Sequence, residues 1–316
     1  PKAFKLIFAE DKGEGDISSF AALATALAAT IGTGNIVGVA TAIKTGGPGA
    51  LFWMWIAAFF GMATKYAEGL LAIKFRTLDD QGNVSGGPMY YITHGFSGKW
   101  QIIAKPLAYF FAFAGVLVAW LGIGTFSQVN SITSSLQNSF GWSPKIVSVI
   151  LALITAAIIF GGIQSISKVS EKVVPFMAGL YIIAALIVIF ANFNQLLPVL
   201  EMVFQSAFTG KAAVGGFAGA TVMAAMRLGI ARGVFSNESG LGSAPIAAAA
   251  AKTEEPVEQG LISMTGTFID TIIICTLTGL AILVTGQWSG SLEGAPMTQA
   301  AFSSIFGTFG ELALTL

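Results

Sequence analysis

Asn35, Asp270, the pair Lys65 and Glu68, and the pair Gln128 and Asn130 are the side chains able to do chemistry inside otherwise apolar stretches of this 316-residue chain. An ionisable group at mid-depth in a bilayer is costly and reads as functional by default. Asp270, in Thr267-Phe268-Ile269-Asp270-Thr271-Ile272, is therefore a candidate cation ligand or coupling group. The plain alternative is a carboxylate satisfied by hydroxyls and amides for helix packing. Lys65 and Glu68, three residues apart, share a helix face and are expected to pair, as a structural pair or gate rather than a substrate site. Asn35 closes the run Gly32-Thr33-Gly34-Asn35, at the centre of an apolar segment from about Ile17 to Ile43. That segment is long enough to cross a bilayer, which takes roughly 20 apolar residues.

Glycine and asparagine are poor helix formers, so the spanning helix is expected to give way at this run. Peptide groups released at membrane depth are tolerated only where they line a cavity or meet protein. Amides after such a break favour an anion, and carbonyls before it can hold a cation. Discontinuous helices of this kind mark substrate and ion sites in secondary transporters. The carbonyls of Ala28 to Ile31, with Thr33, Asn35, Thr221 and Asp270, make the oxygen set that a hard cation such as Na⁺ wants. The amides of Thr33, Gly34 and Asn35 suit a substrate carboxylate. With no Arg or Lys at this depth in the first and sixth spans, the arrangement also suits a small zwitterion. The bland reading is that small residues here only let helices approach closely.

Those groups need a frame, and the composition supplies it. The chain is 54% hydrophobic and 10% charged, where a soluble domain carries about 25% charged residues. Mean hydropathy is +0.77. The class is an all-α polytopic membrane protein. A net charge of zero argues against a nucleic-acid partner. One Cys and one His leave no metal-ligand cluster, and Cys275 reads as a small buried hydrophobe. The chain starts at Pro1 with no signal-peptide pattern, and residues 311–316 read as the opening of a further apolar segment, so a fragment at both ends is expected.

Hydropathy gives seven spans, roughly 17–43, 49–75, 103–137, 145–162, 172–193, 212–234 and 257–286. Ser18 offers an N-cap for the first. With the N-terminus in the cytoplasm, one side collects twelve basic residues, Lys2, Lys5, Lys12, Lys74, Arg76, Lys99, Lys105, Lys168, Lys172, Arg227, Arg232 and Lys252. The other side collects only Lys44, Lys145 and Lys211. This asymmetry fits the positive-inside rule, in a multi-pass protein of the cytoplasmic membrane. Between the second and third spans, Pro88 is placed to start a short interfacial helix that carries His94, a solvated side chain rather than a proton relay. Trp53 and Trp55 read as interfacial anchors. The sixth span holds a second glycine-rich interruption, Gly215-Gly216-Phe217-Ala218-Gly219-Ala220-Thr221. Inverted repeats put broken helices at corresponding positions of two halves, and a five-helix repeat makes spans one and six correspond. The polar stretch from Arg232 to Pro245 is expected to face the cytoplasm, as an inner gate or a packed loop.

Several runs resemble the alanine/glycine:cation symporter family: Ala29 to Ala40, Gly46-Gly47-Pro48-Gly49 through Gly61, Gly86-Gly87-Pro88-Met89-Tyr90-Tyr91, and Arg232-Gly233-Val234-Phe235-Ser236-Asn237-Glu238. The resemblance covers nearly the whole chain. It implies a leucine-transporter-type fold of two inverted five-helix repeats, here truncated. Residues 1–193 would be the first repeat and 194–316 part of the second, with the first and sixth helices discontinuous. It implies symport of alanine or glycine coupled to Na⁺ or H⁺. By that likeness the amides of Thr33 and Gly34 beside Gly32 would meet the carboxylate, Asn35 would lie by one cation, and the carbonyls of Ala28 and Ile31 by a second. Phe217 to Met223, with Thr221, would form the opposite wall, and Gln128 joins the candidate substrate contacts. Family members have another helix before this stretch and three core helices after its seventh span, and hydroxyls of the eighth core helix complete one sodium site.

Two other classes compete. A passive channel would show a repeated filter or a ring of charge, and neither is visible. The remaining alternative within transport is a fragment that does not transport on its own. A hydrolase would want a Ser/His/Asp set, but His94 stands alone in a polar loop, so an enzyme is not expected. No cofactor and no obligate protein partner are inferred; the partners are a small amino acid, the coupling ion and the lipid bilayer.

Overall fold

A computed structural model describes residues 1–10, 13–78, 80, 83–121, 123–209, 222–307 and 310 of the chain. Helix α1 is Lys2–Ile7, and α2 is Ser19–Thr30. The hydroxyl of Ser18 accepts from the amide of Ala21 at 3.0 Å, which caps α2 as the sequence suggests. The helix then gives way: Ile31 is extended, and a π-helical turn covers Gly34–Gly38 before α3, Val39–Gly46. The two halves of this first span are bent by 49°.

Helix α4, Gly49–Lys74, is the long wall against which the rest is assembled. A two-stranded hairpin, β1 (Thr77–Leu78) with β2 (Val84–Ser85), leads to α5, Pro88–Gly95, which does start at its proline. Then come α6 (Gln101–Leu121), α7 (Ile123–Phe140), α8 (Pro144–Ile159), α9 (Gly162–Ala191) and α10 (Leu196–Thr209). Helix α11, Val222–Asn237, precedes the short α12, Ala244–Ala249. The last long span runs as α13 (Pro256–Thr267), a π-helical segment Phe268–Cys275, and α14 (Thr276–Val284), followed by α15 (Gly294–Phe306).

Among the described residues four helices are long and apolar enough to cross a membrane, and the bent pair α2 and α3 is long and apolar enough when taken together. At 16 residues α8, the expected fourth span, is shorter than a full crossing. The expected glycine-rich interruption in the sixth span, from Gly215 to Thr221, lies wholly outside the described residues. Only its continuation, α11, is seen. Large apolar side chains point outward from α6, α8 and α9: Trp120 is 76% exposed, Leu153 67% and Phe176 73%. In water such a surface would be a liability; against lipid it is the expected solvent face.

The core lies where α3, α4, α9, α14 and α15 meet. Ile43, Leu51, Met54, Val188, Ile282 and Phe302 are fully buried there. Helix α11 lies directly on α4, and its Gly229 makes that approach possible. A Cβ at Gly229 would come 2.3 Å from the carbonyl oxygen of Ala50. Trp53 and Trp55, expected as interfacial anchors, are half-buried and bond to neighbouring helices. The indole of Trp55 donates to Thr276 at 2.7 Å, and that of Trp53 to the carbonyl of Ala207 at 3.2 Å. A buried indole N–H needs an acceptor, and the neighbouring helices supply one.

Candidate functional site

The helical ladder of α2 ends with the Ile31 amide donating to Leu27. The next amide, Gly32, turns to the Asn35 side chain, whose Oδ1 accepts it at 2.7 Å. The carbonyls from Ala28 to Ile31 thus lie past the last helical bond, where they no longer have a partner within the helix. Ile31 is buried, whereas the side chain of Ala28 is exposed. Gly32 and Thr33 are half-buried, and Gly34 and Asn35 are buried. Further on, the hydroxyl of Thr298 on α15 donates to the carbonyl of Ile36 at 3.2 Å, which holds the π turn.

Asn35 joins this break to the seventh span. Its Nδ2 donates to Asp270 Oδ1 at 2.8 Å and also faces the Asp270 carbonyl at 3.2 Å and Cys275 Sγ at 3.3 Å. Asp270 is 0% exposed. Its other carboxylate oxygen accepts from the Thr271 hydroxyl at 2.7 Å, and the Ser236 hydroxyl is also a hydrogen-bond partner. All three partners are neutral. The π-helical turn widens the backbone at this depth and presents Asp270 to Asn35. Such turns are rare and frequent at functional sites.

The end of α11 closes the cluster. Ser236 packs against Gly34, where a Cβ would lie 3.1 Å from the Ser236 Cα. Asn237 donates to Thr271 at 3.0 Å and accepts the Ser239 amide at 3.0 Å. Ser236 and Asn237 are each 1% exposed. In the polar stretch expected as an inner gate or a packed loop, these two residues form the buried last turn of a helix, with Ser236 packed against the break. Cys275 is buried as expected, but it also sits 3.3 Å from the Ser236 hydroxyl, so its thiol belongs to the polar cluster.

Of the other expected substrate contacts, Gln128 on α7 is brought to the break: a Cβ on Gly32 would lie 3.8 Å from its Nε2. Asn130 is exposed. Met223 is 68% exposed, so it is not buried in a wall facing the break. Phe217 and Thr221 lie outside the described residues. The expected pairing of Lys65 with Glu68 does not form. Glu68 Oε1 accepts from the Gly242 amide at 3.1 Å, while Glu68 Oε2 and Lys65 Nζ have no hydrogen-bond partner. The loop after α11 claims the carboxylate that helix spacing alone would give to the lysine. His94 is exposed, as expected. Among the described residues no group of three or more His, Cys, Asp or Glu is placed to hold a metal.

Beside the cluster lies a cavity of about 20 Å³, bounded by α2, α4, α12 and α13. Thr30 and Asn237 line its end nearest the break, and Lys65 and Gln259 form its wall.

A model of the sodium:alanine symporter family matches residues 1–316. The chain belongs to the sodium:alanine symporter family. An uncharacterised transporter of Haemophilus influenzae is 55% identical over 310 residues, which is 98% of this chain and 67% of that protein. The sodium/alanine symporter AgcS of Methanococcus maripaludis is 50% identical over 325 residues, 100% of this chain and 70% of that protein. A probable sodium/glutamine symporter of Bacillus subtilis, GlnT, is 41% identical and is covered over 63% of its length. Membership in a family of symporters makes this chain part of a multi-pass membrane transporter, not an enzyme.

Proposed function

We propose that this chain forms the central part of a Na⁺-coupled symporter for small neutral amino acids, with alanine and glycine as its first substrates. The observation that carries the reading is Asp270. Its carboxylate is fully buried, is hydrogen-bonded by Asn35, Thr271 and Ser236 alone, and lies beside a helix break. Lys65 acts on this carboxylate electrostatically without bonding it, and its bonded partners are neutral, so a positive charge at bonding distance is missing among the described residues. A hard monovalent cation supplies it, with oxygens of Asn35, Thr271 and the carbonyls before the break as further ligands. A proton on Asp270 is the other way to fill the same position. The amides of Thr33 and Gly34 then take the substrate carboxylate, as helix N-termini favour anions, while the Gly32 amide stays with Asn35.

The bend in the first span supports a leucine-transporter-type fold, with 1–193 as the first inverted repeat and 194–316 as part of the second. The charge asymmetry supports placing the N-terminal side in the cytoplasm. The family and the relative named as a sodium/alanine symporter support alanine with Na⁺.

The test is uptake of labelled alanine by the purified protein in proteoliposomes, under an inward Na⁺ gradient, an inward H⁺ gradient, or neither. Uptake driven by Na⁺, competed by glycine more strongly than by glutamine, is expected. Uptake indifferent to both gradients contradicts coupling, and stronger competition by glutamine contradicts the substrate choice.

A further inference from the structure

Resting on the transport reading above, we propose that Lys65 and Gln259 form a second amino-acid site, a head-group site occupied after the zwitterion leaves the break. Both side chains are buried, at 3% and 2% exposure, and both line the cavity that starts at Thr30 and Asn237. Lys65 Nζ and Gln259 Oε1 each lack a hydrogen-bond partner. So does Glu68 Oε2, one turn further along α4. An unpaired buried ammonium and unpaired buried oxygens each cost stability. Lys65 and Gln259, which line the cavity, complement a zwitterion: the ammonium of Lys65 takes an α-carboxylate, and the oxygen of Gln259 takes an α-ammonium. Glu68, Glu238 and Asp270 are the carboxylates that act on Lys65 electrostatically, which disfavours a bare anion and suits a ligand bearing its own positive charge. The remaining lining on α2 and α12, such as Ala22 and Ala248, matches a short aliphatic side chain.

At about 20 Å³ the cavity has room for about one water, so an amino acid enters only when its walls part. Arg76, just past the end of α4, is one fastening of those walls. The guanidinium of Arg76 donates to the carbonyls of Glu14, Ala249, Ala251 and Thr253 at 2.7 to 2.8 Å. There the segment before α2 also pairs with the segment after α12, through Ile17 and Ala251. Release of this clasp opens the site toward the side carrying the N-terminal segment.

The test compares wild type with Lys65→Gln and Lys65→Met in proteoliposomes, measuring alanine exchange across the bilayer, equilibrium alanine binding and the thermal midpoint. Exchange is expected to fall about tenfold or more, the scale of one charge-assisted hydrogen bond, while equilibrium binding stays within about threefold. The thermal midpoint is expected to hold, because Lys65 Nζ makes no hydrogen bond that the substitution could remove. Exchange at the wild-type rate in both variants overturns the proposal. So does a fall in exchange together with the midpoint, which marks a structural lysine. Wild-type protein that does not exchange alanine overturns the transport reading itself.

Discussion

Asn35 in the break and Lys65 on α4 are both buried polar side chains, yet the fold treats them in opposite ways. Around Asn35 and Asp270 the polar side-chain groups meet partners, from the Gly32 amide to the Thr271 hydroxyl. In the cavity, the ammonium of Lys65 and the amide oxygen of Gln259 meet none. Asn237 belongs to both regions, donating to Thr271 on one side and lining the cavity on the other. A satisfied buried network fixes one geometry, whereas an unsatisfied one costs stability until something arrives. The contrast separates a satisfied frame around Asp270, where the proposed cation would sit, from unsatisfied groups at Lys65 and Gln259, where the proposed transit site would lie.

The frame is broken most severely at Asp270. Asp270→Ala leaves Asn35 Nδ2 and the Thr271 hydroxyl without their acceptor, and is expected to cost about 3 kcal/mol. Thermal unfolding in detergent measures the loss, and uptake is expected to lose its Na⁺ dependence. Gly34→Ala comes next. The added methyl meets the backbone of Ser236 at 3.1 Å, which is expected to cost about 1–3 kcal/mol and to lower alanine affinity in a binding assay. A neutral result would mean that the break and the end of α11 are not locked together. The smallest effect is expected outside both regions. His94 is exposed on α5, so His94→Ala is expected to change stability by no more than about 0.5 kcal/mol and to leave uptake intact. A large loss of uptake there would break the separation of site from surface.

The break was legible because its cause is local. Gly32, Gly34 and Asn35 resist the helix by their own backbone and side-chain preferences, and Ser18 and Pro88 mark helix starts for the same kind of reason. Asp270 stood out because a carboxylate in an apolar run is expensive anywhere. The π-helical turn that aims it was not legible: Phe268 to Cys275 holds no glycine or proline, and reads as an ordinary apolar helix. Nor was the choice of partners across the fold. Glu68 lies three residues from Lys65 but bonds to Gly242, 174 residues away in sequence. Ser236 and Asn237 read as part of a polar gate or loop, yet they form the buried end of a helix. Helix spacing states which pairs are possible, and tertiary packing decides which of them form.

The most direct measurement is equilibrium binding of labelled alanine as Na⁺ is titrated, in wild type and in Asp270→Asn, which keeps the shape and removes the charge. Wild-type affinity is expected to rise with Na⁺, and the variant is expected to lose that rise. The same Na⁺ dependence in both proteins would contradict a cation held at Asp270.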